Sequence, residues 1–115
     1  MGFCTHFVET APSREQIDTL SEPVVVEFGA PWCPHCQGAQ ALIAAAFSNH
    51  AEVRHIKIED GPSRQLGRSF RVKLWPTLVF MVQGKEVSRL VRPTDSSAIE
   101  QALAQIDGTS AQNAV

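Results

Sequence analysis

The sequence lacks the features that mark membrane and nucleic-acid-binding proteins. No apolar run approaches the roughly 20 residues of a transmembrane helix, so we expect no membrane association. Lys and Arg number 10 against 12 Asp and Glu, a formal charge of −2, so the basic footprint of a nucleic-acid binder is absent. Residues 1–10 contain neither the cationic nor the apolar segment of an export signal, and we expect a cytoplasmic protein.

Cysteine is also scarce. The chain has three, Cys4, Cys33 and Cys36, which is too few and an odd number for a disulfide scaffold. This usage is compatible with a reducing compartment, where a close pair is more often catalytic or metal-binding than structural. Cys4, remote from the pair, is typical of a small buried hydrophobe.

Apolar periodicity and turn residues predict a single α/β domain over residues 1–108, followed by a flexible tail over 109–115. The β-α-β-α-β-α-β-β-α order predicts a mixed central sheet with helices on both faces. The predicted elements are strands at Phe3–Val8, Val24–Phe28, Glu52–Glu59, Thr77–Val82 and Lys85–Val91, and helices at Ser13–Leu20, Cys33–Asn49, Pro62–Phe70 and Thr94–Ile106.

The motif that carries chemistry is Cys33-Pro34-His35-Cys36, which follows the apolar strand and opens a predicted helix. We expect Cys33 to face solvent at the helix N-terminus, where free N–H groups and the helix dipole favour a thiolate, the form that attacks disulfides. Cys36, three residues later on the same helical face, can resolve a mixed disulfide. An imidazolium at His35 would favour the Cys33 thiolate further and make the disulfide more oxidising.

Two other uses of a Cys-x-x-Cys pair fit the sequence less well. A zinc site needs four ligands, and the remaining candidates form no second pair at ligand spacing; they are Cys4, His6, His50 and His55. Covalent haem attachment requires a histidine directly after the second cysteine, where this chain has Gln37. We therefore expect neither a metal nor a cofactor.

Several separated motifs resemble those of the thioredoxin family. They are Val24-Val25-Val26-Glu27-Phe28 followed by Ala30-Pro31-Trp32-Cys33-Pro34-His35-Cys36, and Phe70-Arg71-Val72 leading to Trp75-Pro76-Thr77, Val79-Phe80 and the Gly84 turn. Together with the order of elements, the resemblance covers most of the chain. It implies the thioredoxin fold and thiol–disulfide exchange with protein disulfide or dithiol substrates, supported by a reductase or glutathione. We expect a monomer.

The resemblance also implies a substrate groove. It assigns to Pro76 a cis peptide bond and a position facing the cysteines, and it has the Trp75 backbone pair with an extended substrate segment. Aromatic rings beside a nucleophile suit peptide contact, so we expect Trp32 to contribute as well. Pro34, between the cysteines, completes the predicted contact residues.

Glu27 occupies the place of a buried carboxylate that, in the family, relays a proton with the resolving cysteine. The resemblance therefore gives Glu27 this role toward Cys36. The alternative is a strand-end glutamate that faces solvent, and the apolar run around Glu27 favours the relay.

The chain departs from the family pattern beside the motif. Pro34-His35 replaces the usual Gly-Pro and resembles the dipeptide of DsbA-type oxidants, while Gly29 stands where many thioredoxins have an aromatic residue. Trp75 is bulkier than the usual Ile or Val, and Arg92 replaces a glycine that often lines the groove. These changes predict an altered redox potential and a different partner set.

Two further interpretations concern residues outside the motif. His55 is expected at the surface of a strand rather than as a ligand. A basic cluster is expected either to steer acidic partners or to form a solvated face; it consists of Arg64, Arg68, Arg71 and Lys73.

Three functional hypotheses follow from the sequence. The first is a redox enzyme that exchanges disulfides with proteins through Cys33 and Cys36. The second is a thioredoxin-like binding module or chaperone with incidental redox activity. The third is an iron–sulfur carrier that uses Cys33 from two subunits. The intact pair together with Glu27 and Pro76 favours the first hypothesis, since a binding scaffold needs none of these chemical groups.

Overall fold

The computed structural model describes residues 2–108, so the predicted tail over 109–115 lies outside the described range. Helices span Arg14–Asp18 (α1), Pro34–Phe47 (α2), Gln65–Ser69 (α3) and Ser96–Ile106 (α4), and strands span Val24–Gly29 (β1), Arg54–Glu59 (β2), Thr77–Val82 (β3) and Lys85–Val91 (β4). Within residues 2–108, no helix has both the length and the apolar character needed to cross a membrane.

The strands form one sheet in the order β2-β1-β3-β4. β1 runs parallel to β2 and antiparallel to β3, and β3 and β4 form an antiparallel hairpin. The predicted mixed sheet is confirmed.

Helices cover both faces of the sheet, so every residue of the central strand β1 is buried. Alternate side chains of a strand point to opposite faces. Val24, Val26 and Phe28 pack in the cluster that contains residues of α1 and α3, whereas Val25 packs in the cluster that contains residues of α2 and α4. Glu27 and Gly29 have the same parity as Val25 and therefore lie under α2.

The predicted strand over Phe3–Val8 is not a continuous strand. Its segment makes two isolated parallel bridges to β2, one from Gly2 to Arg54 and one from Phe7 to Lys57. Between them, the Cys4 N–H donates to the ring nitrogen Nδ1 of His55 at 2.8 Å rather than to a strand carbonyl. A side chain thus interrupts the ladder that the sequence pattern predicts.

Capping side chains explain where α1 and α4 begin. α1 has the predicted capping box, in which the Ser13 hydroxyl and the Gln16 side chain each accept the other residue's backbone N–H. α4 begins at Ser96 rather than at the predicted Thr94, because the Asp95 carboxylate caps the helix by accepting from the Ala98 N–H.

Candidate active site

The Cys-x-x-Cys pair lies where β1 passes into α2. Cys33 is the N-cap of α2, and Pro34 is the first helical residue. The Cys33 Sγ accepts a hydrogen bond from the Cys36 N–H at 3.2 Å, so the sulfur takes the place of the usual capping oxygen. A donor and the positive end of a 14-residue helix both favour negative charge on this sulfur.

The expectation that Cys33 faces solvent is wrong. Cys33 is 4% exposed and Cys36 is 3% exposed, because both pack with Ala30 and with the partly buried Trp75. The Cys36 sulfur lies against β1, where a Cβ added to Gly29 would come within 2.6 Å of Sγ. The two sulfurs are therefore not distinguished by exposure.

Ionisation distinguishes Cys36 from an ordinary thiol. Burial raises the pKa of the Cys36 thiol to about 12, and the hydrogen bond with Cys33 and the charges of Cys33 and Glu27 act in the same direction. Cys36 is consequently a neutral thiol at physiological pH. It needs a base before it can attack a disulfide, because only the thiolate is a nucleophile.

Glu27 is a buried carboxylate whose charge acts on this thiol. Its side chain is 0% exposed, which excludes the solvent-facing alternative. Its Oε2 accepts from Gln40 Nε2 at 2.9 Å, and the same amide nitrogen donates to the Cys36 carbonyl at 2.9 Å. Gln40 therefore joins the Glu27 side chain to the backbone of Cys36.

A lysine that the sequence reasoning missed completes this network. Lys57 of β2 is buried, and its Nζ donates to Gln40 Oε1 at 2.9 Å while lying 4.7 Å from the centre of the Phe7 ring. In the β1–β2 register, Lys57 is the partner of Glu27. Its positive charge compensates the buried carboxylate through the intervening amide.

A proline loop stands beside the pair. The Trp75–Pro76 peptide bond is cis. The indole of Trp75 meets that of Trp32 edge to face at 5.5 Å between ring centroids, and its Nε1 donates to Asp60 Oδ2 at 2.9 Å. Trp32 is 67% exposed, so an aromatic surface borders the buried sulfurs.

Comparisons with known proteins agree with this geometry. The thioredoxin family model matches residues 5–105. This chain belongs to the thioredoxin family. Thioredoxin 2 from Pseudomonas aeruginosa PAO1, in its reduced form, is 51% identical with a TM-score of 0.82, over 93% of this chain and 99% of that one.

Two plant proteins are also similar to this thioredoxin-family chain. Protein disulfide isomerase-like 1-4 from Arabidopsis thaliana is 42% identical over 64 residues, which is 54% of this chain and 11% of that protein. Thioredoxin H5 from the same plant is 31% identical over 68 residues, which is 59% of this chain and 58% of that protein. The matched segments thus span less than two thirds of either plant protein.

His35 and Arg92, two residues that depart from the thioredoxin pattern, lie on a concave surface beside α2. Arg92, with φ of 50°, donates from Nε to the Trp75 carbonyl at 2.8 Å, and its backbone N–H donates to the Pro76 carbonyl at 2.9 Å. The Trp75 carbonyl is thus already an acceptor within the chain. Because a carbonyl oxygen has two lone pairs, the Trp75 carbonyl keeps one further acceptor site beside the Arg92 side chain.

The predicted basic cluster divides between a groove and solvent. Three of its members line a depression next to Trp75 together with Asp60; they are Arg64, Arg68 and Lys73. Arg71 is exposed and has φ of 57°. Among residues 2–108, no group of three or more His, Cys, Asp or Glu side chains is arranged to hold a metal ion.

The expectation that His55 lies at the surface is wrong. Its side chain is 0% exposed, and its Nε2 lies 2.8 Å from Glu27 Oε1. The alternation of His55, Lys57 and Glu59 resembles a solvated strand face, but α2 covers this face of the sheet. Cys4, expected to be buried, is half-buried, and its Sγ donates to the His6 carbonyl at 3.2 Å.

Proposed function

We propose that this thioredoxin-family chain is a thiol–disulfide oxidoreductase that exchanges disulfides with protein substrates through Cys33 and Cys36. The observation that carries the proposal is the pairing of a helix-capping sulfur at Cys33 with a buried neutral thiol at Cys36. A buried carboxylate, Glu27, lies within the same hydrogen-bonded network. A module that only binds partners gains nothing from this arrangement.

The reaction has two displacements. The Cys33 thiolate attacks one sulfur of a substrate disulfide, and the other substrate sulfur leaves as a thiolate. Cys36 then loses its proton to Glu27 and attacks the Cys33 sulfur. The bond from Cys33 to the substrate breaks, the substrate leaves as a dithiol, and the chain is oxidised to the Cys33–Cys36 disulfide.

The surroundings of the pair suit a polypeptide substrate. Trp32, Pro34 and His35 are exposed beside the cysteines, and the Trp75 side chain contacts Trp32 and packs against both cysteines. We assign the Trp75 backbone to pairing with an extended substrate segment, since such pairing gives affinity with little sequence preference.

We further propose a cytoplasmic monomer whose disulfide is reduced again by a reductase or by glutathione. Three cysteines without a structural disulfide framework suit a reducing compartment. In this setting the chain contributes to cellular redox homeostasis.

The proposed function is tested by the reduction of insulin disulfides with dithiothreitol as the electron source. The wild-type chain is expected to accelerate insulin precipitation, and Cys33→Ser is expected to show only the background rate. Wild-type protein that binds insulin without accelerating its reduction would indicate a binding module or chaperone instead. A visible absorption band in the purified protein would indicate an iron–sulfur carrier.

The reduction potential is expected to be less negative than that of thioredoxins with Gly-Pro between the cysteines. Thioredoxin lies near −270 mV and DsbA near −120 mV, so we expect roughly −240 to −150 mV. The reason is that an imidazolium at His35 and the α2 N-terminus both stabilise the Cys33 thiolate, and hence the reduced form. Equilibration with glutathione measures this potential.

His35→Pro is the variant that isolates the histidine. It is expected to make the potential more negative, and because His35 is exposed, the difference should shrink in 1 M salt, where the Debye length is about 3 Å. A wild-type potential at or below that of thioredoxin, or an unchanged potential in the variant, would remove the tuning role from His35.

A further inference from the structure

A buried histidine adjoins the proton-transfer network and takes no part in the reaction as described. The His55 ring stacks on Phe47 at 5.1 Å between centroids with an interplanar angle of 25°, and it lies 5.4 Å from the Phe3 ring. Its side chain and that of Glu27 are both 0% exposed. Burial of two polar groups in contact requires well-matched hydrogen bonds.

The two ring nitrogens of His55 have partners that fix its protonation. Nδ1 lies 2.8 Å from the backbone nitrogen of Cys4, and a backbone N–H can only donate. Nδ1 must therefore accept, which leaves the proton of a neutral imidazole on Nε2. Nε2 lies 2.8 Å from Glu27 Oε1, so the ring donates to the carboxylate.

We propose that His55 is a positioning residue that acts through Glu27. As the neutral Nε2–H tautomer, it holds Glu27 as a carboxylate oriented to take the proton of Cys36. This inference rests on the proposed oxidoreductase function. Glu27 then has one donor on each oxygen, His55 on Oε1 and Gln40 on Oε2, and donors to the charged form stabilise it.

The geometry distinguishes this role from storage of the proton on histidine. A second proton on Nδ1 of His55 would face the Cys4 N–H, and two donors would then oppose each other in a buried site. The positive charge that compensates Glu27 comes instead from Lys57 through Gln40. His55 is therefore a fixed donor, and the mobile proton passes between Cys36 and Glu27.

The groups that face Glu27 come from three parts of the fold, of which β2 and α2 contribute titratable side chains. β2 contributes His55 and Lys57, and α2 contributes Cys36, with Cys33 hydrogen-bonded to it. On the third side, β3 places Leu78 opposite Glu27. If substitution of His55 changes the pH dependence of the reaction, the interpretation must include the other titratable groups near Glu27, which are Lys57, Cys36 and Cys33.

The affected step is the second displacement. Glu27 takes the proton from the Cys36 thiol, and the Cys36 sulfur bonds to the Cys33 sulfur as the Cys33–substrate bond breaks. The substrate thiolate leaves with the electron pair of that bond. Glu27 later releases its proton to solvent, so no oxidant beyond the substrate disulfide is needed.

The first experiment measures the tautomer directly. Long-range proton–nitrogen NMR correlations of the reduced wild-type protein are expected to show His55 protonated on Nε2 and bare on Nδ1 between pH 6 and 9. A proton on Nδ1, or a doubly protonated ring at neutral pH, would overturn the proposal. This measurement does not depend on activity, so it stands apart from any failure of the oxidoreductase function.

The second experiment compares His55→Leu with His55→Gln. Both variants lose the ring stacking, but only the glutamine amide keeps a donor for Glu27, and its oxygen can also accept from the Cys4 N–H. Ellman's reagent reports the two displacements separately: attack by Cys33 releases the first thionitrobenzoate, and attack by Cys36 releases the second.

We expect His55→Leu to slow the second release by about 10- to 100-fold and to change its pH profile, while the first release keeps its rate. His55→Gln is expected to recover most of the loss. Equal slowing in both variants would assign His55 to packing alone, and a wild-type rate in His55→Leu would also overturn the proposal. If wild-type protein releases no thionitrobenzoate, the proposed function fails instead.

Discussion

Replacement of Cys36 by serine is expected to stop turnover and to leave the substrate covalently attached to Cys33. The first displacement needs only the Cys33 sulfur, which the variant retains at the N-cap of α2. A serine hydroxyl is too weak a nucleophile to break the mixed disulfide at neutral pH, because it ionises far less readily than a thiol. Turnover should fall by roughly three orders of magnitude or more.

The measurement is non-reducing electrophoresis of cell extract or of insulin incubated with the variant. Slower-migrating adducts should accumulate with Cys36→Ser and disappear after dithiothreitol, whereas Cys33→Ser should form none. Equal trapping by both variants would show that either cysteine can attack first. Burial does not decide the order of attack, because the two residues are nearly equally buried.

Glu27→Gln is expected to slow turnover by about 100-fold near neutral pH, the lower end of the range for a positioned acid–base group. Burial, the largest cause of the raised pKa of Cys36, persists in the variant, so without a base its thiolate is rare at pH 7. Below that pKa, the thiolate fraction rises about tenfold with each pH unit. The rate of the variant should therefore climb with pH and approach the wild-type rate in alkaline solution.

Stopped-flow measurement of the second displacement from pH 6 to 9 tests this expectation. Glu22→Gln is the matched control, because Glu22 is half-exposed and its ion pair with Arg54 is long at 3.7 Å. Circular dichroism should show that both variants remain folded, since glutamine matches glutamate in size. A Glu27→Gln profile that coincides with the wild-type profile would exclude the proton-transfer role.

The hairpin was predicted well because the residues that determine it lie close together in the sequence. The bounds Thr77–Val82 and Lys85–Val91 are confirmed, and the turn between them has Gly84 at φ of 74°. A Cβ at Gly84 would collide with the Asp18 carbonyl, so glycine is required there for two reasons. Residues 3–8 failed as a strand because the competing acceptor, His55, is distant along the chain.

The buried network was predicted only in part for a related reason. Glu27 stood out as the one acid in an apolar run, but its partners lie on β2, where alternating polar residues resemble a solvent face. The signal that was available is the pairing of strands: β2 runs parallel to β1 and is covered by α2. A buried acid on β1 therefore calls for basic partners at alternating positions of β2, and His55 and Lys57 meet that requirement.

The segment of residues 2–8 also determines what the sheet offers to other molecules. β2 and β4 are the outer strands, and an uncovered outer strand is a template for pairing between chains. Two bridges from residues 2–8 cover β2, while β4 carries a bulged register and the charged pair Glu86–Arg89. Deletion of residues 2–8 would leave the edge of β2 unpaired and would promote self-association. The same deletion would remove the Cys4 N–H that donates to His55, and with it the geometry in which His55 donates to Glu27.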